Sequence, residues 1–183
     1  VIVVREVDGP VECRRVSEVF DRVWGVPGVV SPELLRAAAH GGSFVAAAYA
    51  DEADDAQMIG ASFGMRAEHH GRPVLHSHVT GVVPGHEHAG IGRQLKLLQQ
   101  RWAAARGMAF VVWTFDPLVR RNAWFNLHVL GAEVAEYLVD FYGPIGDAIN
   151  GDDESDRLLV AWSTEAGRRD AITPGENDGR TEL

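Results

Sequence analysis

The sequence predicts one α/β domain built on a mixed β-sheet, and three observations carry that expectation. Two β-rich runs, Ser43–Ala50 and Gln57–Met65, flank a short acidic loop, as an antiparallel hairpin would. A strong amphipathic helix then lies between the runs Val74–Val83 and Phe110–Phe115. The second of these runs is apolar throughout, as a strand covered on both faces would be. Strand, helix and buried strand in succession make a parallel crossover unit.

The remaining elements follow in order. Val1–Arg5 reads as a first strand and is too short for a secretory signal. Val16, Val19, Phe20, Val23 and Trp24 recur at helical spacing. Ser31-Pro32-Glu33 opens a second helix: Ser can cap, Pro suits the first turn, and Glu favours its positive end. A turn is expected around His70–Pro73. In the strong helix Ile91, Leu95, Leu98, Trp102 and Ala105 share one face, which puts Arg93, Lys96, Gln100 and Arg101 elsewhere. Gly107 stands where a C-terminal cap belongs. A further helix is expected at about Arg120–Leu130, stopping at Gly131. Strands near Val134–Phe141 and Leu158–Trp162 close the sheet.

The 183 residues suit one domain with one core, assigned to 1–164. Residues 165–183 are rich in Gly, Arg, Asp and Glu and read as a disordered tail. A net charge of −9 argues against a nucleic-acid partner and favours cationic ones such as amines, although acidic clusters at Asp51–Asp55 and Asp152–Glu154 read as solvated loops. No apolar run approaches the roughly 20 residues that span a bilayer, so no membrane partner is expected. A lone cysteine, Cys13, rules out an internal disulfide and fits a cytoplasmic location.

The segment with chemical content is Pro84-Gly85-His86-Glu87-His88-Ala89-Gly90-Ile91-Gly92-Arg93, between a strand and the strong helix. A first helical turn leaves N–H groups unpaired and carries partial positive charge. Gly90 and Gly92 let an anion approach the backbone, and Arg93 can add a charge-assisted contact. Neither a dinucleotide fingerprint nor a nucleoside-triphosphate loop is present.

With the Val82-Val83-Pro84 strand end before it, this stretch resembles the acetyl-CoA signature of the GNAT acyltransferase superfamily, Arg/Gln-x-x-Gly-x-Gly/Ala followed by a helix. The run Trp113–Leu118 with Asn122–Leu127 also resembles a poorly characterised branch of that family. The head of the signature departs from the family, carrying Glu87 in place of Arg or Gln.

The resemblance implies that the parallel strands flanking the helix splay apart to admit the pantetheine arm of acetyl-CoA or another short acyl-CoA. It assigns backbone contacts to Val82 and Val83, with the pyrophosphate on the turn that starts at Glu87 and includes His88, Ala89, Gly90, Ile91, Gly92 and Arg93. Asn122 and Phe125 would touch the far side of the arm. The implied reaction is direct attack by an amine on the thioester. The family's usual acid, a Tyr, is replaced here by Leu127, leaving His128, a water, Tyr137 or Tyr142 to serve.

His76 and His78 are the candidate bases, since imidazole titrates near neutral pH. Simple strand alternation places both on one face with Thr80 and Val82. They can equally be groove-lining polar residues. Asp116 falls at the C-terminal end of a buried strand, where it either caps the next helix or serves the active site. Asn126 can lock a loop or orient a substrate. Asp156-Arg157 reads as a local ion pair or an acceptor contact. The pairs His76/His78 and His86/His88 lie on different elements, so no metal site is expected. His69-His70 reads as a surface turn.

The leading expectation is N-acetyl transfer to a small-molecule amine. The alternatives are an acyl-CoA decarboxylase or carrier-protein acyltransferase on the same cleft, or a non-catalytic acyl-CoA-binding module. The acceptor groove would draw on the first helices and the segment Gly143–Asp156. A homodimer is compatible with this fold, though no sequence feature compels it.

Overall fold

The structure is a computed structural model that describes residues 1–53, 56–143 and 155–165. The acidic positions 54–55 and 152–154, most of the expected acceptor segment and the tail beyond 165 lie outside the described residues.

Among the described residues, seven strands form one sheet in the order β1-β2-β3-β4-β5-β7-β6. They are β1 (Val3–Glu6), β2 (Phe44–Tyr49), β3 (Met58–His69), β4 (Arg72–Val82), β5 (Phe110–Phe115), β6 (Glu133–Leu138) and β7 (Arg157–Ser163). Of these strands β4 and β5 run parallel, joined through helix α3 (Ile91–Ala104), and the other described pairings are antiparallel. Helices α1 (Pro10–Trp24) and α2 (Pro32–His40) cover one face, and α3 covers the other. The mixed α/β sheet and the β2–β3 hairpin are as the sequence predicts.

Local signals explain most element ends. Ser31 Oγ accepts from the Leu34 N–H at 3.2 Å and caps α2, where Pro32 needs no donor partner. Beneath α3, Ile91 and Leu95 are fully buried against β2, β3 and β4. Burying each contributes about 1.5–3 kcal/mol. Close approach depends on Gly60 of β3, whose hypothetical Cβ would lie 2.9 Å from Ile91 Cγ2.

Three local departures matter for the site. The turn after β3 is tighter than expected: β3 runs to His69, and β4 already begins at Arg72. The helix expected at Arg120–Leu130 is a short α4 (Arg120–Ala123) followed by a π-helical turn, Trp124–Val129. There the Leu130 N–H donates to Phe125 O at 2.9 Å, the i→i+5 pattern. Finally, β4 carries a bulge. Phe63 pairs with Val79 and Gly64 with Ser77, so His78 is the extra residue.

The bulge overturns the expected common face of His76, His78, Thr80 and Val82. One inserted residue reverses the two-residue alternation. Leu75 and Ser77 face α3 before the bulge, and Thr80 and Val82 face it afterwards. His76 belongs to the opposite face. The His78 ring makes an edge contact with Phe63, on the α1/α2 side, at 5.9 Å between centroids.

Candidate acyl-binding cleft

Strands β4 and β5 pair only at Leu75↔Val111 and His76↔Val112. Beyond those positions they diverge while continuing to Val82 and Phe115. A cleft of about 280 Å³ opens between them, with β4 residues on one wall and Trp113, Thr114, Phe115, Asn122, Phe125 and Asn126 on the other. Gly92 lines the mouth on the α3 side; a Cβ there would come within 3.9 Å of both Phe125 and Val82. Gly90 has φ +71°, and no atom lies within 4 Å of where its Cβ would project. The mouth therefore offers open space beside the N-terminus of α3, whose early N–H groups lack intrahelical acceptors.

The two valines at the end of β4 differ in what they can offer. Val83 gives its N–H to Ile59 O at 2.9 Å, and its carbonyl accepts from His86 N–H at 3.1 Å. In an antiparallel ladder the backbone groups of consecutive residues alternate sides. Those of Val82 therefore turn away from β3 and toward the opening, whereas both groups of Val83 are already engaged within the protein.

Glu87 begins a 3₁₀ turn, Glu87–Ala89, and its carboxylate folds back to accept from the Gly85 N–H at 2.8 Å. That hydrogen bond gives the departure from the GNAT signature a structural role in the preceding turn.

At the vertex of the cleft lies a side chain that the sequence pattern placed off the apolar face of α3. Lys96 is buried. Its Nζ donates to Ser77 Oγ at 2.8 Å and stands 3.8 Å from the centroid of the Trp113 ring. Ser77 and Trp113 each directly follow the last paired residue of their strands. One turn further along α3, Gln99 Nε2 donates to Ser62 Oγ at 2.8 Å, and Ser62 shares a 2.6 Å hydrogen bond with Thr80. A polar row thus runs beside the apolar row of α3. Burial pushes the Lys96 ammonium down from 10.5 to about 7, because a charged form loses its water. Among the described residues no carboxylate pairs with Lys96, and desolvation is the cause of its shift.

His78 also lines the cleft. Desolvation holds its imidazole below the ordinary value. His76 is lowered in the same direction, first by desolvation and then by His78, Lys96 and His69. Both rings are therefore neutral at pH 7, as a proton acceptor requires.

Among the other expected site residues, Thr80, Val82, Asn122, Phe125 and the buried Asn126 all line the cleft. Asp116 and His128 do not. Asp116 Oδ1 accepts from the Leu118 N–H at 2.8 Å, closing the turn after β5. His128 is exposed and stacks on Trp124 with centroids 3.8 Å apart. Tyr137 OH donates to Asp156, whereas Tyr142 OH approaches Thr114 Oγ1 at 3.4 Å, beside the β5 wall.

No protein-family model and no curated protein matches the sequence. Solved structures do match the fold. A GNAT-family acetyltransferase from Streptococcus pneumoniae aligns at TM-score 0.65 and 13% identity, covering 89% of this chain and 99% of that one. Aminoglycoside 6′-acetyltransferase type Ii aligns at 0.65 and 18% identity, covering 89% and 97%. A chain of the NatC complex bound to Gag peptide and CoA aligns at 0.67 and 12% identity, covering 88% and 98%.

This chain has the GNAT fold. In this chain the divergence of β4 and β5 opens the cleft, and the bulge in β4 sets which side chains face it. At such identities the likeness establishes architecture, and the chemistry rests on the residues of the cleft. No helix among the described residues is long and apolar enough to cross a membrane. Nor do three His, Cys, Asp or Glu side chains gather there in a metal-holding group.

Proposed function

We propose that this chain is an acyl-CoA-dependent acyltransferase that moves an acetyl or other short acyl group to a small-molecule amine. The observation that carries the reading is the divergence of β4 and β5 after His76 and Val112, which opens a slot beside the N-terminus of α3. An extended thioester arm fits such a slot, with its pyrophosphate at the mouth on the N–H groups around Gly90–Arg93. Val82 offers backbone groups to the arm, and Asn122 and Phe125 form the facing wall.

Direct attack requires a free amine. The neutral His78 imidazole, on the α1/α2 side of β4, is suited to remove the ammonium proton. Thr80 and Asn126 stand in the cleft as polar groups that can position the acceptor. The net charge of −9 favours a cationic acceptor. Solved proteins of this fold include one named for an aminoglycoside and one bound to a peptide, so the fold alone does not fix the acceptor.

The test is release of free CoA from acetyl-CoA, followed with a thiol reagent across a panel of polyamines, amino sugars and amino acids. Release that depends on an amine supports the reading. Turnover of malonyl-CoA alone, with loss of CO₂, would replace it with decarboxylation, and CoA binding without any turnover would make the chain a binding module.

A further inference from the structure

The departing thiolate of such a transfer needs a proton, and the helix after β5 lacks a Tyr at the position where the fold's usual donor would stand. Lys96 occupies the deepest point of the cleft instead. Ser77 and Trp113, the first residues past the last β4–β5 pairing, hold its Nζ between them. From Val82 at the mouth back to Ser77 is four ladder steps, Gly60 to Gly64 on β3, about 13 Å. An extended arm anchored at the α3 N-terminus and running down β4 therefore delivers its sulfur end toward Lys96.

We propose that Lys96 Nζ donates the proton to the CoA thiolate as the thioester breaks, a role that rests on the acyl-CoA reading of the cleft. The acceptor nitrogen bonds to the acyl carbon and the C–S bond breaks, its electron pair passing to sulfur. Nζ–H gives sulfur a proton, while His78, having passed the ammonium proton to solvent, takes the second proton from the nitrogen. The donor and acceptor are then reset by exchange of that proton through solvent. Lys96 suits the task because it has three donors and, among the described residues, no paired carboxylate to hold its charge in place. Its lowered proton affinity, near 7, matches a group that must both give and regain a proton at neutral pH.

The test needs no knowledge of the acceptor. CoA is bound to the wild-type protein, to Lys96→Met and to Lys96→Gln, and the thiolate is titrated by its ultraviolet absorbance. Circular dichroism confirms that each protein is folded. A nearby lysine lowers a thiol's pKa. Lys96 is itself charged only up to about pH 7, so the pair titrates together: a thiolate step near pH 7, absent from both variants, is expected on the wild type. Identical thiol titration in wild type and variants that all bind CoA overturns the role of Lys96 and leaves the acyl-CoA reading standing. A folded wild type that fails to bind CoA overturns both.

Discussion

Lys96 Nζ lies 3.8 Å from the centroid of the Trp113 ring, so a cation on α3 is pressed against the β5 wall at the point where β4 and β5 part. A cation over an aromatic face gains about 0.5–2 kcal/mol, which offsets only part of the cost of stripping its water. The arrangement retains a group that the core would otherwise exclude, and it has measurable consequences.

The first is a pH dependence of stability. Lys96 titrates near 7 when folded and at its ordinary 10.5 when unfolded. Between those values the unfolded chain binds more protons, so stability rises as pH rises through this window. Below about pH 7 both states are protonated and the full penalty of the buried charge is present. Urea unfolding of Lys96→Met is expected to show a gain over wild type that is largest near pH 6 and shrinks by pH 10. An equal difference at both pH values would mean that Lys96 is not buried as an amine.

The histidines act with the same sign in a lower pH window. Burial lowers His76 and His78 below 6.5 in the folded state. Stability is then lost as pH falls below about 6.5, where the unfolded chain takes up protons first. His76→Gln is expected to flatten that acid-side loss, as read from unfolding midpoints between pH 7 and pH 5. For His78→Ala, turnover is expected to drop about 10²-fold or more, with CoA binding changed little.

Gly60 sets how closely α3 approaches the sheet. Its Cβ would meet Ile91 Cγ2 at 2.9 Å and Gly81 O at 3.2 Å, and the second contact is backbone that cannot rotate away. Gly60→Ala is expected to destabilise the fold by about 1–3 kcal/mol in denaturant unfolding. Because Ile91 opens α3, CoA affinity should fall as well.

Glu87 places a carboxylate at the mouth where a pyrophosphate would sit, although it is held in the turn by Gly85 N–H. Glu87→Gln removes the charge and keeps an acceptor oxygen. CoA binding is expected to tighten about threefold at low salt, with the difference fading at high salt as screening sets in.

How far the sequence foretold this structure depends on the length of the pattern involved. Ile91, Leu95 and Trp102 repeat over several helical turns, so α3 and its buried face are plain, as is the apolar run of β5. The bulge at His78 is a single-residue insertion in a strand of ordinary composition, with nothing local to mark it. It is also what separates His76 from Thr80 and Val82. Lys96 was hidden for a different reason: a helical wheel assigns a lysine to solvent. Its one trace is the spacing to Gln99, three residues on, over strands bearing Ser62, Ser77 and Thr80. The π-turn at Trp124–Val129 likewise has no periodic signature. It turns the His128 ring onto Trp124 at the surface, outside the cleft.

The most direct measurement is calorimetric titration of CoA into the wild type and into Gly92→Trp, whose indole would fill the mouth between Phe125 and Val82. The expected result is binding by the wild type in the micromolar range and a loss of at least about 100-fold in the variant, with both proteins folded. Equal affinity in the two, or no binding by a folded wild type, would contradict the assignment of the β4–β5 cleft to an acyl-CoA.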